Sequence, residues 1–440
     1  MKSPSPNDWS TGDIVIVNVD SGETRVIAGS AAAELGPTFS PDGKWIAYVA
    51  SDMPPRWGTS TRVQLANLAT GEKKDLAATY DAQPDIAGFS ADGARILVRE
   101  ARGTVDRVYA IDIASNKVVD VSAAEGAINE ANLNRAATHL GIAAQALDKP
   151  VEAYVTRCDR YAPVQVSHVN EAMAKYPAPK TEVVRWKSTD GKDVEGLLTY
   201  PISYTAGKRV PLLLIVHGGP AGVFKQAFLG NYSPFPVAVF ANDGYAVLRV
   251  NPRGSSGYGR DFRYANYKDW GGGDFADLMS GVDYVVSKGV ADANRLGVMG
   301  WSYGGFMTSW IIGHTDRFRA AIVGAGVTDL LSFTGTADIP GFLPDYFGGN
   351  FWETYELWRA HSPIMFVSNV KTPTLLEHGE ADERVPTSQG YELYNALKLR
   401  GVPVKMIVFP RQHHGLTEPK MRVKAAQSSV EWIEKWIPAK

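Results

Sequence analysis

Between residues 300 and 305 the chain reads Gly-Trp-Ser-Tyr-Gly-Gly, one serine among three glycines, directly after the mostly apolar run Leu296-Gly297-Val298-Met299. A surface turn needs one glycine, so three ask for another reason. A sharp strand-to-helix turn that lifts a serine off the carboxyl end of a strand supplies one. Strand and helix pass so close there that the residues two before and two after the serine must be small. Gly300 and Gly304 fill those positions. A helix from Tyr303 to about Ile312 then aims its free N–H groups at Ser302, where they favour developing negative charge. Such a turn works only where a strand feeds a helix, so it commits this region to a β/α architecture.

The surrounding sequence agrees. Apolar runs at 194–201, 210–220, 245–254, 295–302, 319–326, 372–380 and 403–410 read as buried strands. Between them, 272–289 places Phe275, Leu278, Val282 and Val285 at helical spacing, 388–401 reads as a helix ending at Gly401, and 425–437 as a closing helix. Strands alternating with helices predict an α/β domain over 181–440, its mostly parallel sheet covered on both faces.

The first part has a different period. "VNVDSGETRVI" at 17–27 returns as "ANLATGEKKDL" at 66–76 and "IDIASNKVVDV" at 111–121. Interleaved with these, "FSPDGKWIAYVAS" at 39–51 returns as "FSADGARILVREA" at 89–101, 50 residues later. Asp42-Gly43 and Asp92-Gly93 suit tight turns between alternating strands. A period of roughly 40–50 residues with four strands per unit marks propeller blades. Three repeats are clear and a degraded fourth is expected within 137–159. An all-β, partial propeller-like domain of about three to four blades is therefore expected over 1–175, before a linker marked by Pro177 and Pro179. Open blades leave bare strand edges, which tend to pair. A homo-oligomer joined through those edges is one expectation, and a shortened domain with a more open site is the other.

A serine hydroxyl needs a base to take its proton and a carboxylate to orient that base. In a strand-turn-helix setting of this kind the chain order is Ser, then Asp or Glu, then His. Histidines follow Ser302 at 314, 361, 378 and 413–414. His314 reads as a solvated helix end, His361 as a loop or helix-start residue and His378 as a packed strand-end residue. The pair after the last strand sits where a base belongs. His414 is preferred, with Gly415 leaving its ring room, and His413 is the fallback. For the acid, Asp382 leads, with Glu380 and Glu383 open. Two backbone N–H groups should hold the oxyanion: Tyr303, and Gly219 in the His217-Gly-Gly-Pro220 loop.

Composition excludes other classes. A formal charge of -2 gives no case for a nucleic-acid or membrane partner, and no apolar run reaches the ~18 residues a span needs. Cys158 is the only cysteine and reads as a small buried hydrophobe; with no internal disulfide possible, a reducing, cytoplasmic setting is expected. The opening "MKSPSPNDWSTGD" lacks the apolar core of a secretory leader. No metal-binding spacing is present, and no cofactor is expected.

"HGGP", "NPRGSSGYGRDF" (251–262), "WGGGDFADLMSGVDYV" (270–285), "GWSYGGFM" (300–307), "HGEADERVP" (378–386) and "HHG" (413–415) resemble, in order, the motifs of the prolyl oligopeptidase family of serine peptidases. The resemblance is greatest to its acylaminoacyl-peptidase branch. It implies an α/β-hydrolase domain preceded by a propeller, a triad of Ser302, Asp382 and His414, and Arg384 binding a substrate carbonyl. Its expected substrates are short or N-acylated peptides, cleaved through an acyl-enzyme. A carboxylesterase or other small-molecule acyl hydrolase with the same triad is the alternative. The blades are about half what the family's seven or eight need. Glu125 and Glu130 are too loosely placed to form an amino-terminus site, which disfavours a dipeptidyl-peptidase. The aromatic stretch 330–352 is the expected pocket lining.

Overall fold

The computed structural model describes residues 2–3, 5–122 and 126–439, so Glu125 lies outside the described residues. The chain divides into two compact units: Met1–Lys175 with Lys225–Phe228 and Ser256–Asp261, and Tyr176–Phe224 with Leu229–Ser255 and Phe262–Lys440.

The first unit is built of antiparallel sheets. A hairpin, Ile14–Val17 with Thr24–Ala28, comes first. Three four-stranded sheets follow, running from Glu34 to Asp75, from Asp85 to Asp120 and from Ala127 to Gln165. The two Asp-Gly turns are built alike. Asp42 Oδ1 accepts from Ser40 Oγ (2.7 Å) and Lys44 N (3.1 Å), and Asp92 Oδ1 accepts from Ser90 Oγ (2.6 Å) and Ala94 N (3.0 Å). Gly43 and Gly93 take positive φ, +68° and +69°. The third four-stranded sheet makes its turn with other residues. Asn134 Oδ1 accepts from Thr138 N (2.9 Å) and His139 N (3.0 Å), and Ala137 takes the positive φ of 51°. That substitution is why the repeat at 137–159 reads as degraded.

Apolar seams join consecutive sheets. Ile14 and Ala28 of the hairpin pack with Ile46, Tyr48 and Ala66. Val63 and Leu65 pack with Ile96, Val98 and Ile111. Val108 packs with Ile128, Leu140 and Ile142. Burying one such side chain contributes about 1.5–3 kcal/mol. Cys158 packs, half-buried, against the last seam.

The second unit carries one eight-stranded sheet. Its strands are β1 (Thr181–Lys187), β2 (Asp193–Thr199), β3 (Val210–Val216), β4 (Ala246–Asn251), β5 (Ala291–Trp301), β6 (Phe318–Gly324), β7 (Thr374–Gly379) and β8 (Val404–Phe409). Their order is β1-β2-β4-β3-β5-β6-β7-β8; β1, β2 and β4 pair antiparallel and all other neighbours parallel. Leu212, Leu213, Leu214, Val247, Leu248 and Val298 are buried, as a sheet covered on both faces requires. Strand β1 lies ahead of the first apolar run marked in the sequence because Thr181, Glu182 and Lys187 dilute its apolar residues.

Helices α1 (Gly273–Ser287), α2 (Tyr303–His314), α3 (Ser388–Leu399) and α4 (Pro419–Trp436) cover the sheet. Glycines mark which helix lies on which face of β5. A Cβ on Gly300 would meet the backbone of Gly304 in α2 at 2.4 Å, whereas one on Gly297 would meet the side chains of Ile433 and Ile437 at 3.4 and 3.0 Å. Among the described residues no helix is long and apolar enough to cross a membrane.

Candidate active site

Ser302 sits between β5 and α2 with φ 63° and ψ -122°, a region that side chains other than glycine enter only when the surroundings force them. Its amide donates to Gly324 O at 2.9 Å, and its carbonyl accepts the Phe306 amide of the first helical turn at 2.9 Å. The three glycines each have a cause. A Cβ on Gly300 would strike Gly304, one on Gly304 would lie 2.2 Å from Val216 O, and one on Gly305 would lie 2.5 Å from Gly324 O. All three collisions are with backbone, which cannot swing aside.

The His217–Gly222 loop packs against this turn, and a Cβ on Gly218 would lie 3.3 Å from the Ser302 Cβ. Gly219 takes φ 127°, open to glycine alone, and the Gly219–Pro220 peptide is cis. His217 is buried, with Nε2 2.8 Å from Ser255 Oγ and Nδ1 2.9 Å from Gly218 O, and burial lowers its pKa to about 4. It braces the loop as a neutral ring.

Of the candidate acids, Asp382 reaches His414 and Glu383 reaches His413. His414 Nδ1 lies 2.8 Å from Asp382 Oδ2, while the other carboxylate oxygen accepts the Val385 amide at 2.9 Å. The Asp382 carboxylate is fully buried, and the His414 ring keeps 27% of its surface exposed. His413 turns outward instead, with Nδ1 2.8 Å from Glu383 Oε2, which raises the His413 pKa. Glu380 accepts the Arg411 amide. The carboxylate therefore separates His414 from His413, and Gly415 does not, since a Cβ there would meet nothing within 4 Å.

His378 is a packed strand-end residue, its Nε2 2.8 Å from Val385 O and 3.5 Å from Asp382 Oδ2. Burial lowers its pKa, so it stands beside Asp382 as a neutral ring. His314 ends α2 with its ring stacked on Trp310, and His361 lies against the Trp270 carbonyl. Trp301 Nε1 donates to His414 O at 2.9 Å and so ties the residue before Ser302 to the His414 loop. Arg384 is held in a two-pronged pair by Asp338, Nε to Oδ1 at 2.7 Å and Nη2 to Oδ2 at 3.1 Å. Among the described residues nothing accepts from its Nη1.

Two contributors were not apparent from the sequence. Asp274, at the start of α1, accepts from the Tyr303 hydroxyl and from the amides of Gly271 (2.8 Å) and Phe275 (2.8 Å). Burial outweighs these bonds and pushes its pKa up to about 7. It anchors the side chain of Tyr303, the residue after Ser302; the first of the two acidic residues within "WGGGDFADL" was the only trace. The second is a cavity of about 530 Å³ lined by Gly218, Trp301, His414 and residues 232–235. The stretch 330–352 supplies none of its lining. Phe333, Leu343, Tyr346 and Phe347 are buried, and Tyr346 packs on Trp270. Among the described residues no cluster of side chains could hold a metal ion.

Residues 231–440 match the model of the prolyl oligopeptidase family. The chain is 28% identical over 435 residues to dipeptidyl-peptidase 5 of Porphyromonas gingivalis, covering 97% of this chain and 63% of that protein. It is 30% identical over 494 residues to the uncharacterized peptidase YuxL of Bacillus subtilis, covering 96% of this chain and 74% of that one. Among solved structures, the acylaminoacyl peptidase of Pyrococcus horikoshii superposes with a TM-score of 0.86 at 24% identity, over 100% of this chain and 68% of that one. The chain belongs to the prolyl oligopeptidase family.

Proposed function

We propose that this chain is a serine peptidase that hydrolyses short or N-acylated peptides through an acyl-enzyme. The observation that carries the reading is the buried Asp382 paired with His414, in a loop tied by Trp301 to the strained turn that presents Ser302. Ser302 Oγ attacks the scissile carbonyl while His414 Nε2 takes its proton. The Tyr303 and Gly219 amides receive the oxyanion. As the C–N bond breaks, His414 returns the proton to the leaving amine, then draws one from water to release the acyl group. Asp382 keeps the imidazole in the tautomer that leaves Nε2 free to accept. Arg384, its charge fixed by Asp338, offers Nη1 to a substrate carbonyl.

A fluorophosphonate probe tests the nucleophile: Ser302 is labelled, and Ser302→Ala abolishes labelling. Persistent labelling of the variant would refute the assignment. Anilides of N-acetylated and free-amine dipeptides, run beside short acyl esters, then test the substrate class. Turnover of the acetylated anilides is expected. Turnover confined to esters would favour a carboxylesterase, and turnover confined to free amines would align the chain with its dipeptidyl-peptidase relative.

A further inference from the structure

The cavity beside His414 lies on one definable face of the sheet. Ile215 and Trp301 are in its wall. Ile215 pairs with Met299 in register, and side chains two apart share a face, so Ile215 and Trp301 project to the same side. Gly297 shares that side, where α4 packs. Tyr303 is anchored to α1 by Asp274, meets Trp270 edge-on and stacks with Phe306, in the aromatic cluster that also takes in Phe342 and Tyr346. The cavity and that cluster thus belong to different sides of the Ser302 turn.

The wall has a mixed character. Tyr232, Phe235, Phe224 and Leu416 are apolar, and among the described residues Arg422 is its one permanently charged side chain. The Arg422 guanidinium lies 4.7 Å from the Tyr232 ring centroid, and its Nε donates to Leu416 O at 2.7 Å. Among the described residues its two terminal nitrogens have no acceptor. Arg249, 7% exposed and 5.7 Å from the Phe224 ring, likewise keeps Nε and Nη2 without a partner among the described residues. The register places Arg249 opposite Ile215, on the cavity's side of the sheet. Among the described residues no carboxylate lines the cavity, and burial pushes the pKa of Glu377, on the same face, well above the carboxylate range.

Resting on the peptidase reading above, we propose that this cavity receives the leaving half of the substrate: a single large apolar residue, aromatic by preference, whose free carboxylate is held by Arg422. His414 must deliver its proton to the leaving nitrogen, so the leaving residue has to lie against that ring, and the cavity is walled by it. A volume of about 530 Å³ holds a phenylalanine or tryptophan side chain with its carboxylate. An aromatic ring would lie along Tyr232 and Phe235, and a carboxylate would accept from the guanidinium nitrogens that lack acceptors.

The test separates this proposal from the reading it rests on. A panel of N-acetyl-amino-acid methyl esters identifies the acyl half turned over fastest; with no turnover and no fluorophosphonate label, the peptidase reading fails first. That acyl half is coupled to Phe, to Gly and to Phe-amide, and kcat/KM is measured for each. The wild type should favour Phe over Gly by about tenfold or more, and free Phe over its amide by about threefold or more. Tyr232→Ala should lower the Phe preference, and Ser233→Trp, which narrows the cavity, should abolish it. Arg422→Gln should remove the preference for free acid over amide. In all three variants kcat/KM for the methyl ester should stay within about twofold of wild type, because that leaving group does not fill the cavity. A Phe/Gly ratio unmoved by both cavity variants, an acid/amide ratio unmoved by Arg422→Gln, or an ester rate that falls in parallel would overturn the proposal.

Discussion

At the residue scale, the turn around Ser302 admits no side chain at three positions. In Gly304→Ala the new methyl would overlap the Val216 carbonyl, so β3 and α2 must part. We expect a loss of at least about 2 kcal/mol in a denaturant melt, together with loss of fluorophosphonate labelling. The histidine pair makes a second contrast. His414→Ala should lower kcat by about 10⁶-fold, whereas His413→Ala, on the exposed ring paired with Glu383, should stay within about twofold. Asp274 gives a pH prediction. Its pKa is about 7 in the fold against 3.8 for an unperturbed side chain, so between roughly pH 4 and 7 the folded chain holds a proton that the unfolded chain has shed. Stability from this group is therefore full below pH 4 and is lost as pH rises through 7. Asp274→Asn should flatten that part of the stability–pH curve, measured by urea melts at successive pH values; an unchanged slope would mean that another group is responsible.

At the element scale, what could be read in advance depended on whether a feature is local in sequence. The Ser302 turn packs its constraints into six residues, and the Ser-x-Asp-Gly turns at 40–43 and 90–93 into four each, so both were apparent. The matching turn at 134–139 was not, because Asn134 and Ala137 do the same work with different atoms. We expect Asn134→Ala to cost about 1–2 kcal/mol, read as earlier melting of the first unit, since Thr138 and His139 would lose their acceptor. Segments far apart in sequence hid the rest. Asp338 precedes Arg384 by 46 residues, and Arg422 joins Tyr232 from 190 residues away. The aromatics of 330–352 announced apolar burial but not whether it served a core or a pocket, since both call for the same side chains.

At the scale of the whole molecule, the chain spans 63% of the length of its P. gingivalis relative. Apolar side chains stay exposed at both sequence ends of the first unit's array: Val15, Val17 and Val26 on the hairpin, Val164 and Val166 at the last sheet. Pairing of two chains through these strands predicts a light-scattering mass of about twice 47.7 kDa, and lysine at Val17 and Val164 should return it to one chain's worth. A strict monomer in the unmodified protein would sink the pairing. The seams between successive sheets carry a consequence of their own. Apolar seams join each sheet of the first unit to its sequence neighbours, so disorder there can stop at the next seam, whereas the eight-stranded sheet of the second unit is one continuous fabric. Hydrogen exchange should accordingly report a staircase of protection across the first unit, frayed outermost, and a single high plateau across the strands beneath Ser302.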